Sequence, residues 1–302
     1  MAENSAPRRC GVVSLVGAPN AGKSTLLNTL VGSKIAAVTH KVQTTRSRIV
    51  GIAMAGPAQL VFVDTPGILA PKRRLERAMV AAAWHGARDA DAVVLLVDAS
   101  RGIDADTRRI ASGLKEAGID AVLAINKVDV TRRETLLGLA RALNDLFPFL
   151  RTFMISGMTG DGVEELRQYV AASVPLGPWL YPPDQIADLP LRALAAEITR
   201  EKLFLSLHEE LPYATTVEPE SWDERSDGSV QIAQVITVRR ASQKAIVLGK
   251  NGRQIKAIGT EARVELEKIL ERRVHLSLFV KVRADWLDDP ERYRQIGLTF
   301  PR

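Results

Sequence analysis

The stretch that decides the fold is Gly17-Ala18-Pro19-Asn20-Ala21-Gly22-Lys23-Ser24, which matches the phosphate-binding loop pattern G-x-x-x-x-G-K-[ST]. The apolar run Val12–Val16 before it predicts a buried strand, and Thr25–Val31 after it predicts a helix that Gly32 ends. Backbone N–H groups of such a loop and of the helix N-terminus bind phosphate oxygens. We therefore predict that Lys23 reaches the outer phosphates of a nucleotide and that the Ser24 hydroxyl binds Mg²⁺.

The polar, threonine-rich segment Lys34–Arg48 follows this helix and shows no clear period. It predicts a loop that becomes ordered on binding, because a threonine there can give its hydroxyl to magnesium and its N–H to the terminal phosphate. A plain surface loop is the alternative at this point.

A second phosphate-facing motif comes at the end of the apolar strand Gln59–Val63, where the chain reads Asp64-Thr65-Pro66-Gly67. An acid at this place can hold magnesium through water. Gly67 lets the backbone approach the terminal phosphate and donate its N–H. The segment Pro71–Arg88 then predicts the second mobile element.

The base is indicated by Asn126-Lys127-Val128-Asp129, which follows the apolar strand Ala121–Ile125. A carboxylate at Asp129 accepts hydrogen bonds from N1–H and the 2-amino group of guanine, whereas adenine has neither donor. Such a site rejects the analogue by on the order of 10⁴–10⁵. By itself this motif could be a turn at a strand end, but its order after the phosphate loop favours guanine. Backbone amides of the turn Ser156-Gly157-Met158 are candidates for binding the guanine carbonyl.

Six predicted strands alternate with helices and indicate an α/β domain with a mostly parallel, doubly wound sheet and a nucleotide at the C-terminal ends of the strands. Prolines then interrupt the pattern and mark a stiff linker. The predicted division is a flexible tail over 1–10, a nucleotide-binding domain over 11–174, a proline-rich linker over 175–190 and a second domain with a C-terminal tail over 191–302.

Composition limits the class of protein. The chain has 302 residues, 46% hydrophobic and 25% charged, as in ordinary soluble proteins. No apolar run approaches the roughly 18–20 residues needed to span a bilayer. The single cysteine, Cys10, excludes an internal disulfide and favours a reducing cytoplasm. The four histidines are scattered and have no second ligand at metal spacing.

The second domain carries the excess positive charge: Arg239–Arg283 contains twelve basic and four acidic residues. Its predicted element order is α-β-β-α-α-β, and Gly249-Lys250-Asn251-Gly252 lies between two helices. Glycines at this spacing let the backbone approach a phosphodiester chain, as in the KH clamp on single-stranded nucleic acid. A solvated basic face is the alternative. The candidate RNA-binding residues are Lys244, Gly249, Lys250, Asn251, Gly252, Arg253 and Lys256.

Together with Gln43-Thr44-Thr45-Arg46 and Ile258–Arg263, these motifs resemble the Era family, bacterial Ras-like GTPases of the TrmE-Era-EngA type with a C-terminal type II KH domain. The resemblance runs from about Gly11 to the C-terminus. It implies slow intrinsic GTP hydrolysis with Mg²⁺ and binding to single-stranded RNA at the 3′ end of small-subunit ribosomal RNA. It also implies assistance to 30S subunit maturation, no DNA partner, a monomer, and a cytoplasmic protein with a peripheral inner-membrane fraction.

Carried over to this sequence, the resemblance favours Thr45 over Thr44 as the magnesium ligand and makes Asn20 a candidate for holding a potassium ion. Lys23, Thr45 and Gly67 are the predicted catalytic residues, and Ser24, Thr45 and Asp64 the predicted magnesium ligands. The predicted GTP-binding set is Gly17, Ala18, Pro19, Asn20, Ala21, Gly22, Lys23, Ser24, Thr25, Asp64, Thr65, Pro66, Gly67, Asn126, Lys127, Asp129, Ser156, Gly157 and Met158.

The sequence departs from the family pattern at Gly157, where relatives usually have alanine. Ile68 stands where Ras-like enzymes place a water-orienting glutamine, which members of the Era family also lack, so intrinsic hydrolysis should be slow. Two alternative functions remain open. One alternative is an RNA-binding assembly factor for which GTP is only a timer. The other is a membrane-surface or cell-cycle regulatory GTPase in which RNA binding is secondary.

Overall fold

The structure is a computed structural model that describes residues 7–39, 41, 48–207, 211–284, 286, 289–295 and 297–301. The predicted Gln43–Arg46 motif, with Thr44 and Thr45, lies outside the described residues. By their internal contacts the residues divide into two compact units. Unit 1 comprises Met1–Ile35, Thr45–Asp188 and Tyr293–Arg302, and unit 2 comprises Ala36–Thr44 and Leu189–Arg292.

Unit 1 contains one six-stranded sheet with the strand order β2-β3-β1-β4-β5-β6. All neighbouring strands are parallel except β2 and β3. This architecture confirms the predicted α/β class with a mostly parallel sheet. The elements are β1 Arg9–Gly17, α1 Lys23–Val31, β2 Ile49–Ala55, β3 Ala58–Asp64, α2 Arg74–Arg88, β4 Ala92–Asp98, α3 Ala105–Ala117, β5 Val122–Asn126, α4 Arg133–Leu146, β6 Thr152–Met154 and α5 Val163–Ser173.

The antiparallel pair β2–β3 has a local cause in the connection between the strands. Only Gly56 and Pro57 separate them, and Gly56 has a left-handed φ of 57°. A two-residue connection reverses the chain, whereas a parallel pair needs a crossover of a dozen residues or more. The strand that follows the predicted magnesium loop is therefore an antiparallel edge.

The site-bearing residues meet at one edge of this sheet. Strands β3, β1, β4 and β5 are consecutive neighbours and parallel, and they end at Asp64, Gly17, Asp98 and Asn126 respectively. Their apolar side chains form the core behind this edge, with Val16, Leu95 and Ile125 all buried in one cluster. The parallel pairing thus delivers the predicted phosphate, magnesium and guanine motifs to the same side of the sheet.

The structure adds detail at the two ends of the predicted nucleotide-binding domain. β1 begins at Arg9, so the first strand includes two residues that the sequence places in the tail. The proline-rich segment is bound to unit 1: the Gln59 side-chain oxygen accepts hydrogen bonds from the backbone N–H groups of Leu180 and Tyr181. Ile52 N–H donates to the Ile186 carbonyl at 2.8 Å. The segment therefore runs along the sheet rather than away from it.

Unit 2 contains a three-stranded sheet of order β7-β8-β9, with β7 and β8 antiparallel and β8 and β9 parallel. Helices cover one face of it, where Leu203, Ile236 and Ile258 are fully buried together. The α-β-β-α-α-β order predicted for a KH domain is confirmed. The elements are α6 Leu191–Ser206, β7 Thr215–Glu224, β8 Val230–Val238, α7 Ala241–Leu248, α8 Arg253–Leu270 and β9 Val274–Val282. The short helix α9, Pro290–Gln295, follows in the chain, and the division between the two units falls within it.

No helix among the described residues is both long enough and apolar enough to cross a membrane.

Candidate nucleotide site and RNA interface

The lysine of the phosphate loop is held inside the loop. Lys23 is 6% exposed, and its Nζ donates to the carbonyl oxygens of Gly17 at 3.1 Å and Ala18 at 3.0 Å. Burial lowers the pKa of Lys23 to about 8, although the carboxylate of Asp64 acts in the opposite direction. Because the Lys23 ammonium has lost most of its hydration, its interaction with a phosphate group would be stronger than that of a solvated lysine.

The end of the loop leaves no space for a larger residue than glycine. Gly22 has a φ of 99°, and a Cβ there would lie 2.2 Å from the side-chain nitrogen of Asn126. The loop can therefore turn into α1 only because position 22 has no side chain. Thr25 follows in the first turn of α1.

Two of the three predicted magnesium ligands, Ser24 and Asp64, lie together, and the third, Thr45, lies outside the described residues. The Ser24 hydroxyl donates to the Asp64 carboxylate at 2.6 Å, and Asp64 is buried at the end of β3. These are the hard oxygen donors that Mg²⁺ prefers. In the described part of the chain, no group of three or more His, Cys, Asp or Glu side chains could hold a metal ion. The adjacent Ser24 hydroxyl and Asp64 carboxylate are a donor set that fits Mg²⁺ held also by the phosphates of a nucleotide.

The residues after Asp64 pack against the phosphate loop and its strand. The Thr65 hydroxyl donates to the Leu15 carbonyl at 2.8 Å, and Pro66 is buried. A Cβ on Gly67 would lie 2.9 Å from the backbone of Pro19, so the two loops are in direct contact. Gly67 is therefore close to the residues that are predicted to surround the terminal phosphate.

Asn126 joins three of the predicted motifs. Its side-chain nitrogen donates to the Ala21 carbonyl in the phosphate loop at 2.8 Å, and its side-chain oxygen accepts from Gly157 N–H at 2.8 Å. The Thr29 hydroxyl of α1 donates to the Gly157 carbonyl at 2.6 Å. One buried amide thus fixes the phosphate loop against the turn predicted to bind guanine.

The other guanine-motif residues surround this amide. Lys127 has a left-handed φ of 68° and forms an ion pair with Asp98 at 2.6 Å. Asp129 is exposed, as expected of an acceptor that faces a ligand. In the second turn Ser156 is buried, whereas Met158 is 74% exposed. The sequence reasoning missed Asp98, as well as Thr29 and Arg101, because none of them belongs to a recognised motif.

The predicted RNA loop projects from the second unit between α7 and α8. Three of its four residues have positive φ: Gly249 at 71°, Asn251 at 53° and Gly252 at 74°. Lys250, Asn251 and Arg253 are exposed, and a Cβ on Gly252 would meet nothing within 4 Å. A ligand can therefore approach the loop backbone from solvent. The apolar Ile246 on α7, which the sequence reasoning did not single out, is also exposed.

The basic residues of unit 2 separate into paired and unpaired groups. Arg263, Arg272 and Lys281 form ion pairs with Glu267, Glu224 and Glu220, so much of the positive charge is neutralised locally. Lys250, Arg253 and Lys256 form no ion pair with any described residue. Lys244 in α7 is half-buried. Lys268, Arg273 and Arg283 are also exposed and form no ion pair with a described residue, so the loop carries only part of the positive charge available to a polyanion.

Two family models match the chain, one described as a 50S ribosome-binding GTPase over residues 12–127 and the other as a KH domain over residues 210–287. The chain is 62% identical over 301 residues to GTPase Era of Rhizobium meliloti (strain 1021), covering 100% of this chain and 96% of the relative. It is 59% identical over 293 residues to GTPase Era of Brucella suis biovar 1 (strain 1330), covering 97% and 94%.

The chain belongs to the Era family of GTPases. Two solved Era structures each superpose with a TM-score of 0.90 at 37% identity, covering 96% of this chain and 99% of the solved chain. One is an Aquifex aeolicus Era variant bound to GDP.AlF4-, and the other is Era in complex with MgGDPNP and nucleotides 1506–1542 of 16S ribosomal RNA. Membership of the Era family confirms the predicted fold and the predicted enzyme class, a GTPase.

Proposed function

We propose that this protein is a magnesium-dependent GTP switch that binds single-stranded RNA at the 3′ end of small-subunit ribosomal RNA and assists 30S maturation. Residues 11–174 would form the GTPase domain, and residues 191–302 the RNA-binding domain, joined by 175–190. The GTP-binding half of this proposal rests on the two hydrogen bonds of the Asn126 side chain, which join the phosphate loop to the turn Ser156-Gly157-Met158. Asp129 would then read the guanine edge beside it.

GTP hydrolysis would proceed by in-line attack of water on the terminal phosphoryl group. Lys23 would neutralise the outer phosphates, and Gly67 would donate its N–H to the terminal phosphate. Ser24, Asp64 and Thr45 would hold Mg²⁺, which would neutralise the charge that develops on the phosphates. No side chain of the described site is placed as a general base, so catalysis would come from positioning and charge neutralisation. Slow turnover by the protein alone follows.

The RNA part rests on the exposed Gly249–Gly252 loop and the unpaired cations Lys250, Arg253 and Lys256 around it. Asn251 and Lys244 belong to the same proposed contact set. The solved relative bound to nucleotides 1506–1542 of 16S ribosomal RNA makes that fragment the natural probe. We expect the fragment to bind this protein and to change its steady-state GTP turnover.

The test measures GTP turnover and RNA affinity with that fragment, for the wild type and for Gly249→Ala with Gly252→Ala. The double variant should lose RNA binding but keep its net charge, so binding to vesicles of acidic phospholipid should persist if the protein also associates with membranes. RNA affinity that survives the double change would contradict the loop assignment. Vesicle binding without RNA binding by the wild type would instead favour the membrane-surface alternative and a peripheral membrane location. Turnover below detection with and without RNA would favour GTP as a timer only.

Contacts of the segment before Thr45 support coupling between nucleotide and RNA binding. Val38 N–H donates to the Glu201 carboxylate at 2.8 Å, and Lys41 Nζ donates to the carbonyls of Phe204 and Leu207 at the end of α6. A cation here complements the negative end of the helix dipole. We propose that binding of GTP, which requires Thr45 to reach Mg²⁺, pulls this segment away from α6.

If so, Lys41→Gln should weaken the hold on α6 and raise RNA affinity in the GDP state while changing it little with a GTP analogue. Lys115→Gln, an exposed lysine of α3, is the matched control. RNA affinities that respond equally to Lys41→Gln in both nucleotide states would show that this contact does not transmit the state of the nucleotide.

A potassium ion is a further proposed cofactor, with Asn20 as its ligand. Asn20 lies half-buried in the phosphate loop with a left-handed φ of 64°, and its amide oxygen is a suitable donor for an alkali cation. GTP turnover should be higher in KCl than in NaCl at equal ionic strength, and Asn20→Ala should remove that difference. Equal rates of the wild type in the two salts would exclude the potassium role.

A further inference from the structure

The turn between β4 and α3, residues 98–104, contains charged side chains that none of the nucleotide motifs includes. Asp98 ends β4 and is the register partner of Asn126 at the end of β5. It is 7% exposed, and one carboxylate oxygen accepts from Lys127 Nζ at 2.6 Å. The other accepts from the Ser100 N–H at 2.9 Å and hydroxyl at 2.6 Å. The carboxylate is thus fully engaged and fixed in direction.

Ionisation of Asp98 is favoured by the same neighbours. Burial would raise the pKa of Asp98, but the hydrogen bonds from Lys127 and Ser100 outweigh it and hold the pKa below its usual value. The Asp98 carboxylate that Lys127 contacts is therefore ionised in the neutral range. Removing one partner would leave the other charge unpaired beside a largely buried site. The free-energy cost of that change is larger than the cost of breaking a solvated ion pair on the surface.

The other end of the turn contacts the phosphate loop. Arg101 donates to the Pro19 carbonyl at 3.2 Å through one guanidinium nitrogen and pairs with Asp104 at 2.8 Å through the other. Asp104 in turn caps α3, accepting from Thr107 N–H at 2.7 Å. The guanidinium is therefore supported by a rigid helix end while it holds a carbonyl of the loop that is predicted to cradle the phosphates.

Lys127 requires such support because of its backbone. Its φ of 68° is in the left-handed region, which is costly for a residue with a Cβ and persists only where the surroundings enforce it. The Thr131 hydroxyl donates to the Lys127 carbonyl at 2.8 Å, which fixes the backbone, and Asp98 fixes the far end of the side chain. The contacts with Thr131 and Asp98 together fix both the backbone and the side chain of Lys127. Lys127 lies between Asn126 and Asp129 in the guanine motif, so its orientation bears on both.

We propose that the turn 98–104 is a positioning element that fixes the guanine motif and the phosphate loop relative to each other, with Asp98 acting through Lys127 and Arg101 through the Pro19 carbonyl. Neither residue needs to touch the nucleotide. This inference rests on the proposed assignment of the guanine site. It assigns part of the nucleotide affinity to Asp98 and Arg101, which lie outside the phosphate loop and the guanine motif. Its expected signature is faster release of nucleotide without a change in the chemical step.

The main test is the rate of GDP release from Asp98→Asn, measured with a fluorescent GDP analogue. The asparagine keeps an acceptor for Ser100 but removes the charge that holds Lys127, so release should be about tenfold faster. The turnover number at saturating GTP should stay within about twofold, because the interaction is the same in ground and transition states. The matched control is Asp106→Asn, which removes the ion pair with Arg109 on the adjoining helix and should leave release unchanged.

A double-variant cycle separates positioning from a merely structural effect. Lys127→Met keeps the aliphatic stem but removes the charge, and in that background Asp98→Asn should change GDP release by less than about twofold. The midpoint of thermal unfolding, measured without added nucleotide, should fall further for Asp98→Asn than for Asp106→Asn, because only the former leaves a charge unpaired beside a buried site. The coupling between Asp98 and Lys127 in GDP release is therefore the measurement that decides. Additive effects on release in the cycle, or unchanged release in the single variant, would overturn the proposal for Asp98.

Arg101 is tested in the same way with Arg101→Gln and the control Arg109→Gln. Release of GDP should be about threefold faster for the former only, because a single exposed contact to a carbonyl is lost. Unchanged release would remove Arg101 from the element. If the wild type and both controls failed to bind GDP, the proposed guanine site itself would be wrong. Normal wild-type binding with no effect of either substitution would overturn only this inference.

Discussion

The phosphate loop Gly17–Ser24 and the RNA loop Gly249–Gly252 both enter a helix through a left-handed glycine, but they are built in opposite ways. A Cβ on Gly22 would lie 2.2 Å from an amide nitrogen, whereas a Cβ on Gly252 would meet nothing within 4 Å. The lysine of the first loop, Lys23, is buried among carbonyl oxygens, and Lys250 of the second loop is exposed.

The difference shows what glycine does in each place. In the phosphate loop the protein itself occupies the space around Gly22, so the loop geometry is fixed before a ligand arrives. In the RNA loop the space around Gly252 is open, and only a ligand can use it. A packed loop presents fixed donors to a small anion of defined shape, while an open loop admits a long chain that approaches from solvent. Substitutions in the packed phosphate loop should therefore have larger effects than substitutions in the open RNA loop.

The largest effect is expected for Lys23→Met, because Lys23 is the buried cation that faces the proposed phosphates. GDP affinity should fall about 1,000-fold, as expected when a desolvated charge pair worth roughly 4 kcal/mol is lost. At the same time the free energy of unfolding without nucleotide should rise by about 1 kcal/mol at pH 7, since burying this charge is unfavourable and its hydrogen bonds to two carbonyls only partly offset the cost.

Calorimetric titration with GDP and urea unfolding measure the two quantities. Lys250→Met serves as the control, because the same substitution at an exposed lysine should leave both unchanged. Retained GDP affinity in Lys23→Met, or a loss of stability without nucleotide, would show that the lysine is structural rather than a phosphate ligand.

A smaller but still large effect is expected for Gly22→Ala. The new Cβ must displace the Asn126 amide, which bonds Ala21 and Gly157. Two buried hydrogen bonds are then lost, each worth about 1–3 kcal/mol when a partner is left unsatisfied, so GDP affinity should fall about 100-fold. Titration with GDP measures it.

Gly32→Ala is the control for this change, since Gly32 ends the same helix with a left-handed φ of 74° and nothing within 4 Å of its Cβ position. It should cost about 1 kcal/mol of stability and no GDP affinity. GDP binding by Gly22→Ala within about threefold of the wild type would mean that the packing around position 22 is not required.

A modest effect is expected for Lys250→Gln in the open loop. One exposed phosphate contact is removed, so RNA affinity should fall about threefold at low salt, and the slope of affinity against salt concentration on logarithmic axes should decrease by roughly 0.7. GDP affinity should not change. Lys268→Gln, an exposed lysine near the far end of α8, is the control. A loss of RNA affinity as large for Lys268→Gln would show a diffuse basic face instead of a loop-centred contact.

The sequence predicted much of the nucleotide site because its motifs are runs of adjacent residues whose chemistry can be interpreted locally. Asp98 and Arg101 could not be found in this way. Their importance depends on which strand lies beside β5 and on where the β4–α3 turn meets the phosphate loop, and both are tertiary facts. The antiparallel direction of β2, by contrast, could have been predicted from the sequence, because Gly56 and Pro57 form a two-residue connection typical of a hairpin. Counting alternating strands and helices overlooked this signal.

The smallest effect is expected for Gly157→Ala, at the one site glycine where relatives were expected to have alanine. Its φ is not in the left-handed region, and a Cβ would lie 3.3 Å from the backbone of Leu26, tight but not excluded. The hydrogen bonds to Asn126 and from Thr29 use only its backbone, so they can persist.

Replacing Gly157 by alanine lowers the conformational entropy of the unfolded chain, which would stabilise the folded variant by roughly 0.4–1 kcal/mol, whereas the tight contact with Leu26 opposes this gain. GDP affinity should therefore stay within about threefold and the unfolding midpoint within a few degrees. A fall in affinity comparable to that of Gly22→Ala would show that this turn is packed as tightly as the phosphate loop, and that its glycine, too, is required by the protein's own contacts.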